Sequence, residues 1–318
     1  MALRRNILVF HQAALGDFVV TWPLAVAMGR LFPQSRIIYV TAASKGQLAE
    51  RVLGVESVDV ERGWHALYSE APRLPEASAK LLAGAHTIFS FVSKPGDVWE
   101  QNVHRMSPEA LLITLDTKLP HGEHVSEALL EQLRPWTQHC AAVGQLLRSV
   151  AQQGLSSRQG SGGAVVIHPG AGKPEKCWPV DRFTSLVGDL REHGLPVRML
   201  LGEVELEKWK PADLARLRAT CEVRQPETLL ELLDEVSSAS AFVCNDSGPG
   251  HLAGIIGVPT VSLFGTPPPH RWKPLGPRVQ VLEASSIERI QVEQVTATVV
   301  AAMHAPTELR RKRTAHED

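Results

Sequence analysis

The sequence predicts two α/β domains of the doubly wound, Rossmann-like type, joined by a polar linker. Three observations carry that prediction. The apolar run Ile7-Leu8-Val9-Phe10 is followed by a turn containing Gly16 and then by helical apolar spacing from Phe18 to Leu31. That is the strand–turn–helix opening of a parallel sheet. The same order restarts at Ala164–His168, after the stretch Gln152–Gly163, whose Gly, Ser and Gln content builds no packed element and behaves as flexible chain. It occurs again at Ala241–Ala253, where a short strand, a tight polar turn and a helix start follow one another. The expected organisation is a first domain over residues 1–152, a linker over 153–163, a second domain over 164–304 and a tail over 305–318.

In the first domain, strands are expected at 7–10, 36–41, 87–91 and 111–115, where β-branched and apolar residues form short runs bounded by turn formers. Helical spacing predicts helices over 18–31, 46–53, 69–82 (interrupted by Pro72 and Pro75), 125–133 and 137–152. In the second domain, strands are expected at 164–168, 197–201, 222–224, 241–245, 258–264 and 278–282. Helices are expected from Asp181 or Thr184 to His193, over 206–218 with an interruption at Pro211, after Thr228 as N-cap, after Gly248, and over 286–303.

Composition narrows the function classes. The 318 residues carry a net charge of −1 with 44% hydrophobic and 21% charged residues, an ordinary globular composition with no global electrostatic case for binding nucleic acid. Four widely spaced cysteines form no CxxC pair, which predicts reduced thiols and a cytoplasmic location rather than a disulfide framework or zinc site. No apolar run reaches the ~18–20 residues that span a bilayer. The apolar run behind the basic Met1–Asn6 segment is too short for a secretory signal. Thirteen histidines include His121 and His124 beside Glu123, but Pro and Gly around them predict a loop, and no metal site is assigned. No P-loop, intact GxGxxG or GxSxG pattern is present.

The candidate chemistry lies at the ends of strands. In Asn245-Asp246-Ser247-Gly248-Pro249-Gly250-His251, glycines let backbone approach a ligand, and Pro249 suits the first helical turn. The N–H groups of Ser247, Gly248 and Gly250 would then meet an anion at a helix N-terminus, a contact that typically gains ~0.3–1 kcal/mol. Asp246 or Ser247 is equally readable as a plain helix cap, with His251 packed locally. Asp17 at the first predicted helix start likewise reads as a cap worth ~1 kcal/mol. The loop Pro169–Pro179 holds Gly170, Gly172 and Lys176; as bare sequence it is a long, solvated connection.

Taken together, these segments resemble glycosyltransferase family 9, which comprises the heptosyltransferases of lipopolysaccharide core assembly. The resemblance rests on Ala14-Leu15-Gly16-Asp17, on the strand-end turn with Lys176 and Trp178-Pro179, and on Asn245–Ala253 followed by Gly257-Val258-Pro259 and Leu263-Phe264-Gly265-Thr266. It implies the GT-B architecture, two Rossmann-like domains facing across a cleft. It also implies inverting transfer of a sugar from a nucleotide diphosphate, ADP-heptose first among donors, to a lipopolysaccharide-core or related lipid-linked glycan.

By the same resemblance Asp17 is the general base, and Lys176, Asp246, Ser247, Gly248, Gly250, His251, Gly170 and Gly172 line the donor diphosphate site. Glu203 or Glu205, with Thr266, lies toward the nucleoside. No cofactor beyond the nucleotide sugar is implied and no metal is required. The chain departs from the family at Gly172, where a hydroxyl residue is usual, and at Arg224-Gln225-Pro226-Glu227, where an Asn, Gly and Thr/Ser cluster is usual. The basic tail Arg310–Arg313 suggests peripheral contact with the cytoplasmic face of the inner membrane. Two other readings stand beside this one. One is a transferase using another nucleotide sugar and a non-lipopolysaccharide acceptor; the other is a nucleotide-sugar-binding protein without catalysis.

Overall fold

The computed structural model describes residues 6–117, 124–136, 145, 148–149, 154–155, 163–266 and 269–304. The chain forms two compact units, Met1–Val150 and Ala151–Asp318.

In the first unit, β1 (Asn6–Phe10), β2 (Arg36–Thr41), β3 (Glu56–Asp59), β4 (Ala85–Ser90) and β5 (Leu111–Thr114) make a sheet in the order β3-β2-β1-β4-β5. Every pairing is parallel. The chain steps outward from β1 to β3 and then returns to the other side of β1, so the connections part between β1 and β4. Ile7 to Phe10 are all buried, as expected of a strand covered on both faces. Phe10 meets Trp64 and Trp99 edge-on at 5.1 and 5.0 Å. Trp99 belongs to helix Val98–Met106, whose Asp97 caps the Glu100 N–H.

One difference from the expected elements concerns the helix after β1. Instead of one helix over 18–31, there are two, α1 (Leu15–Val19) and α2 (Trp22–Leu31). Pro23 has no N–H to continue the ladder. The Thr21 hydroxyl donates to the Phe18 carbonyl at 2.7 Å, which closes the first helix in a tight turn. After β2 comes α3 (Ala43–Leu53).

The second unit carries β6 (Val165–His168), β7 (Val197–Leu200), β8 (Glu222–Arg224), β9 (Ala241–Asn245), β10 (Thr260–Phe264) and β11 (Val279–Glu283). They form a parallel sheet in the order β11-β10-β9-β6-β7-β8. Here the connections part between β6 and β9. In open parallel sheets ligands bind beyond the carboxyl ends of the strands at such a switch point. Both units are therefore doubly wound, the fold class expected from the sequence.

Helices Val180–Glu192 and Val292–His304 cover this sheet, burying Phe183, Leu186, Leu190, Val295 and Val299 against Val165, Ile167, Val243 and Val261. The expected helix over 206–218 is again two, α4 (Glu203–Lys208) and α5 (Pro211–Thr220), because Pro211 takes the first helical position of the second. Thr228 caps helix Leu229–Ser238 through the Glu231 N–H, as expected. The turn after β9 leads into α6 (Gly248–Ile255). Of the expected linker, Leu155 lies on the second unit, its N–H donating to the Ile255 carbonyl at 2.7 Å; most of the linker, and the tail, lie outside the described residues.

Candidate functional site

The carboxyl ends of β6 and β9 are drawn together by one buried amide. Asn245 is fully buried. Its Nδ2 donates to the Pro169 carbonyl at 2.6 Å, and its Oδ1 accepts the Trp178 N–H at 3.1 Å. One side chain thus pins both ends of the loop 169–179. Trp178 anchors the far end further, donating Nε1–H to the Ile290 carbonyl at 3.1 Å and meeting Phe183 edge-on. Between these pins the loop carries Lys176, whose Nζ lies 2.5 Å from Asp246 Oδ2. The lysine side chain is 24% exposed and the aspartate 10%, so the pair is half-sheltered yet open on the lysine side.

Next to Asp246, Ser247 takes the N-cap position of α6 with extended backbone, but its hydroxyl makes no capping bond. The plain-cap reading of Ser247 is therefore not met. Its Oγ instead faces His168 Nδ1 at 3.5 Å. Of the three N–H groups expected at the anion site, that of Gly250 turns inward to the Ser247 carbonyl at 3.1 Å. Gly250 serves packing as well, since a Cβ there would collide with Cys244 Sγ beneath the helix. His251 is buried at the same helix start. Gly248 is partly accessible.

The glycine loop has two different glycines. A Cβ on Gly172 would meet nothing within 4 Å, whereas one on Gly170 would run into the Glu205 carboxylate. Glu205 is buried and its Oε2 accepts the Gly202 N–H at 2.8 Å, while Glu203 is exposed. The same Oε2 lies 3.9 Å from His168 Nε2. Burial pushes the His168 imidazole below its usual range, and the Glu205 carboxylate opposes that shift. The two glutamates that sequence left as alternatives are thereby separated: one is part of a buried cluster, the other faces solvent. Thr266, beyond β10, gives its hydroxyl to the Ser285 carbonyl at 3.4 Å and lies on the far side of β9 from His168.

In the first unit Asp17 sits in the first turn of α1, and Ala14 holds the N-cap position. Asp17 thus lies inside the first turn of the helix and not at its N-cap position. Sequence reasoning missed its surroundings. Lys45, in the first turn of α3, donates to the Ala13 carbonyl at 2.6 Å. Burial lowers its pKa and Asp17 opposes the shift. His11, at the end of β1, is 1% exposed and packs against Phe18 and Phe91. Its pKa is lowered to about 3, first by burial and then by the Lys45 charge. The available signal was a lysine at a helix N-terminus, where the peptide dipoles disfavour a cation.

Among the described residues, no three His, Cys, Asp or Glu side chains are grouped to hold a metal ion. His121 and Glu123 lie outside the described residues, while His124 caps helix Val125–Leu133. No helix among the described residues is long and apolar enough to cross a membrane.

Comparison with known proteins agrees with this architecture. Residues 125–299 match the family model for glycosyltransferase family 9 (heptosyltransferase). The second-unit residues discussed above fall within that range; His11, Asp17 and Lys45 precede it. Lipopolysaccharide heptosyltransferase 3 of Escherichia coli K12 is 27% identical over 166 residues, which cover 48% of this chain and 47% of that protein. The match thus spans about half the length of that curated relative. Two solved structures share the fold. E. coli ADP-heptose lipopolysaccharide heptosyltransferase II is 20% identical, with a TM-score of 0.66 over 94% of this chain and 98% of that one. E. coli heptosyltransferase WaaC, solved with ADP, is 17% identical, with a TM-score of 0.63 over 93% of this chain and 99% of that one. Both units are doubly wound, in agreement with the GT-B fold of these structures, and the family model matches more than half of the sequence: the chain belongs to glycosyltransferase family 9.

Proposed function

We propose that this protein is an inverting glycosyltransferase that transfers heptose from ADP-heptose to a lipopolysaccharide-core or related glycan acceptor. The observation that carries the proposal is the placement of Lys176 and Asp246 at the switch point of the second sheet, beside the start of α6. The nucleotide diphosphate lies there, drawing Lys176 partly from Asp246 and using backbone N–H groups at Ser247 and Gly248. As the bond from the anomeric carbon to the diphosphate oxygen breaks, its electron pair passes to the diphosphate. Fixed dipoles and an ammonium group stabilise that charge without reorganising. The acceptor hydroxyl oxygen bonds to the anomeric carbon, and Asp17 takes its proton as general base. Asp246 and His251 shape the loop and position phosphate or sugar.

Glu205 is buried with its Oε2 on the Gly202 N–H and Glu203 is exposed, which supports Glu203 as the glutamate that meets the nucleoside. The working location is the cytoplasm, with the basic tail Arg310–Arg313 adding attraction to an anionic membrane surface where a lipid-linked acceptor resides. A second reading, a different nucleotide sugar and acceptor, draws support from Arg224-Gln225-Pro226-Glu227, which replaces the family's usual cluster. Calorimetric titration with ADP, UDP, GDP and CMP, with chelator present and then with magnesium, tests the donor. Selective ADP binding followed by turnover of ADP-heptose is the expected result. Selectivity for UDP or GDP overturns the donor, and no binding to any nucleotide overturns the site.

A further inference from the structure

Ser247, next to Asp246, also belongs to a buried cluster whose side chains the transfer reaction above does not use. His168 stands at the end of β6 with Ser247 Oγ at 3.5 Å from Nδ1 and Glu205 Oε2 at 3.9 Å from Nε2. All three residues are buried. The imidazole is therefore held between a hydroxyl on the anion-site side and a carboxylate on the α4 side. The other groups acting on it are main-chain atoms of His168 itself and Gly170. The Glu205 carboxylate and these main-chain groups favour a protonated ring, and burial opposes it. Glu205 is the carboxylate acting on it; the same carboxylate also acts on the Cys177 thiol, which is raised chiefly by burial.

We infer that His168 takes up one proton when a nucleotide diphosphate binds at the start of α6, and that this proton turns the Ser247 hydroxyl toward the phosphate. The inference rests on the donor site proposed above. A neutral imidazole has one N–H for two ring nitrogens. With that hydrogen on Nε2, facing Glu205, Nδ1 accepts the hydrogen of Ser247, and the serine presents only lone pairs outward. Such a surface repels a phosphate oxygen.

A second proton, taken from the buffer onto Nδ1, reverses the hydrogen bond. Nδ1–H then donates to Ser247 Oγ, and the serine hydrogen is released to donate to phosphate. The arriving dianion supplies the charge that offsets the burial of an imidazolium, and Glu205 completes an ion pair on the opposite side. His168 is on this account a positioning residue, acting on the donor through Ser247. It also explains why Glu205 is buried against Gly170 rather than turned to solvent: its carboxylate is the counter-ion in waiting.

The test is calorimetry of ADP binding to the full chain in two buffers of different ionisation enthalpy near neutral pH. The proton count of ADP itself is common to all variants, so the comparison is between proteins. Unmodified protein should take up close to one proton more than His168→Gln, and Glu205→Gln should lie between them. The unmodified protein's Kd should rise with pH by up to about tenfold per unit where the free ring is neutral. Equal proton counts in the unmodified protein and His168→Gln, with ADP still bound by both, overturn the inference. Should His168→Gln fail to fold, the imidazole nitrogen signals of the histidine-labelled unmodified protein decide. One ring must move to the doubly protonated position on adding ADP, and no such change overturns the inference. Failure of the unmodified protein to bind ADP at all strikes the donor site itself.

Discussion

The carboxylate of Glu205 fills the space where a Gly170 side chain would stand, Oε1 being the atom that an added Cβ would meet first. A glycine that reads in sequence as room for a phosphate is thus, in the fold, room for a buried acid. Gly170→Ala should destabilise the second unit by about 1–3 kcal/mol, the usual range for overpacking a filled interior. Shortening Glu205 to alanine in the same chain should return part of that loss, since neighbours in contact are not additive. Chemical denaturation of the two single variants and the double variant measures the coupling. A double-variant loss equal to the sum of the single losses would show that Gly170 is held glycine by something else.

Lys176 is expected to act on two quantities that can be separated. Removing it leaves the Asp246 carboxylate, 10% exposed, without its cation, at a stability cost of about 1–3 kcal/mol. It also removes a charge-assisted contact to diphosphate worth about 1.5–3 kcal/mol, roughly a ten- to hundredfold loss of ADP affinity. Lys176→Met should show both losses. Adding Asp246→Asn should restore most of the stability and none of the affinity. Recovery of ADP binding in the double variant would mean that Lys176 serves only the ion pair.

How far this was legible beforehand depends on the range of each interaction. Strands such as β1 and β9 are announced by apolar runs, because a strand covered on both faces needs no polar residue. The short edge strand β3, Glu56-Ser57-Val58-Asp59, has no such run and passed unseen. Helix Val98–Met106 passed unseen too, although Asp97 as cap and the spacing of Trp99 and Val103 announce it. At the candidate site, Asp246, Ser247 and Lys176 are legible as candidates because their motifs are local. The Asn245 amide that pins loop 169–179, the partnership of Glu205 with His168, and Lys45 beside Asp17 join positions far apart in sequence. Only the strand order brings them together.

Asp17 and Lys45 give a prediction about the first unit. Asp17→Asn should lower turnover by roughly 10²–10⁴-fold, the range for a lost general base, while ADP affinity stays within a few-fold because the proposed donor contacts are all on the second unit. Lys45→Met should be milder and different in kind. Its ammonium holds the Ala13 carbonyl at 2.6 Å and stands near Asp17, so it favours the carboxylate form. Removing it should move the acid limb of the pH–rate profile to higher pH, with the alkaline limb unchanged. A uniform loss of rate at every pH would assign Lys45 to the turn alone.

His11 sets a pH dependence of stability whose sign follows from its burial. Its pKa falls from 6.5 to about 3 in the folded chain. Above 6.5 the ring is neutral in both states and contributes nothing to the pH dependence. Between that value and about 3 the unfolded chain binds a proton that the folded chain refuses. Stability is therefore lost as pH falls through that window, by up to about 1.4 kcal/mol per pH unit. His11→Phe keeps a ring against Phe18 and Phe91 and abolishes the titration. The difference in unfolding free energy between variant and unmodified protein should grow in the variant's favour as pH falls below 6.5 and stay flat above it. Denaturant midpoints taken across the window provide the comparison. A difference independent of pH would mean that the folded chain admits the proton, and that the Lys45 charge and the aromatic packing around His11 do not exclude it.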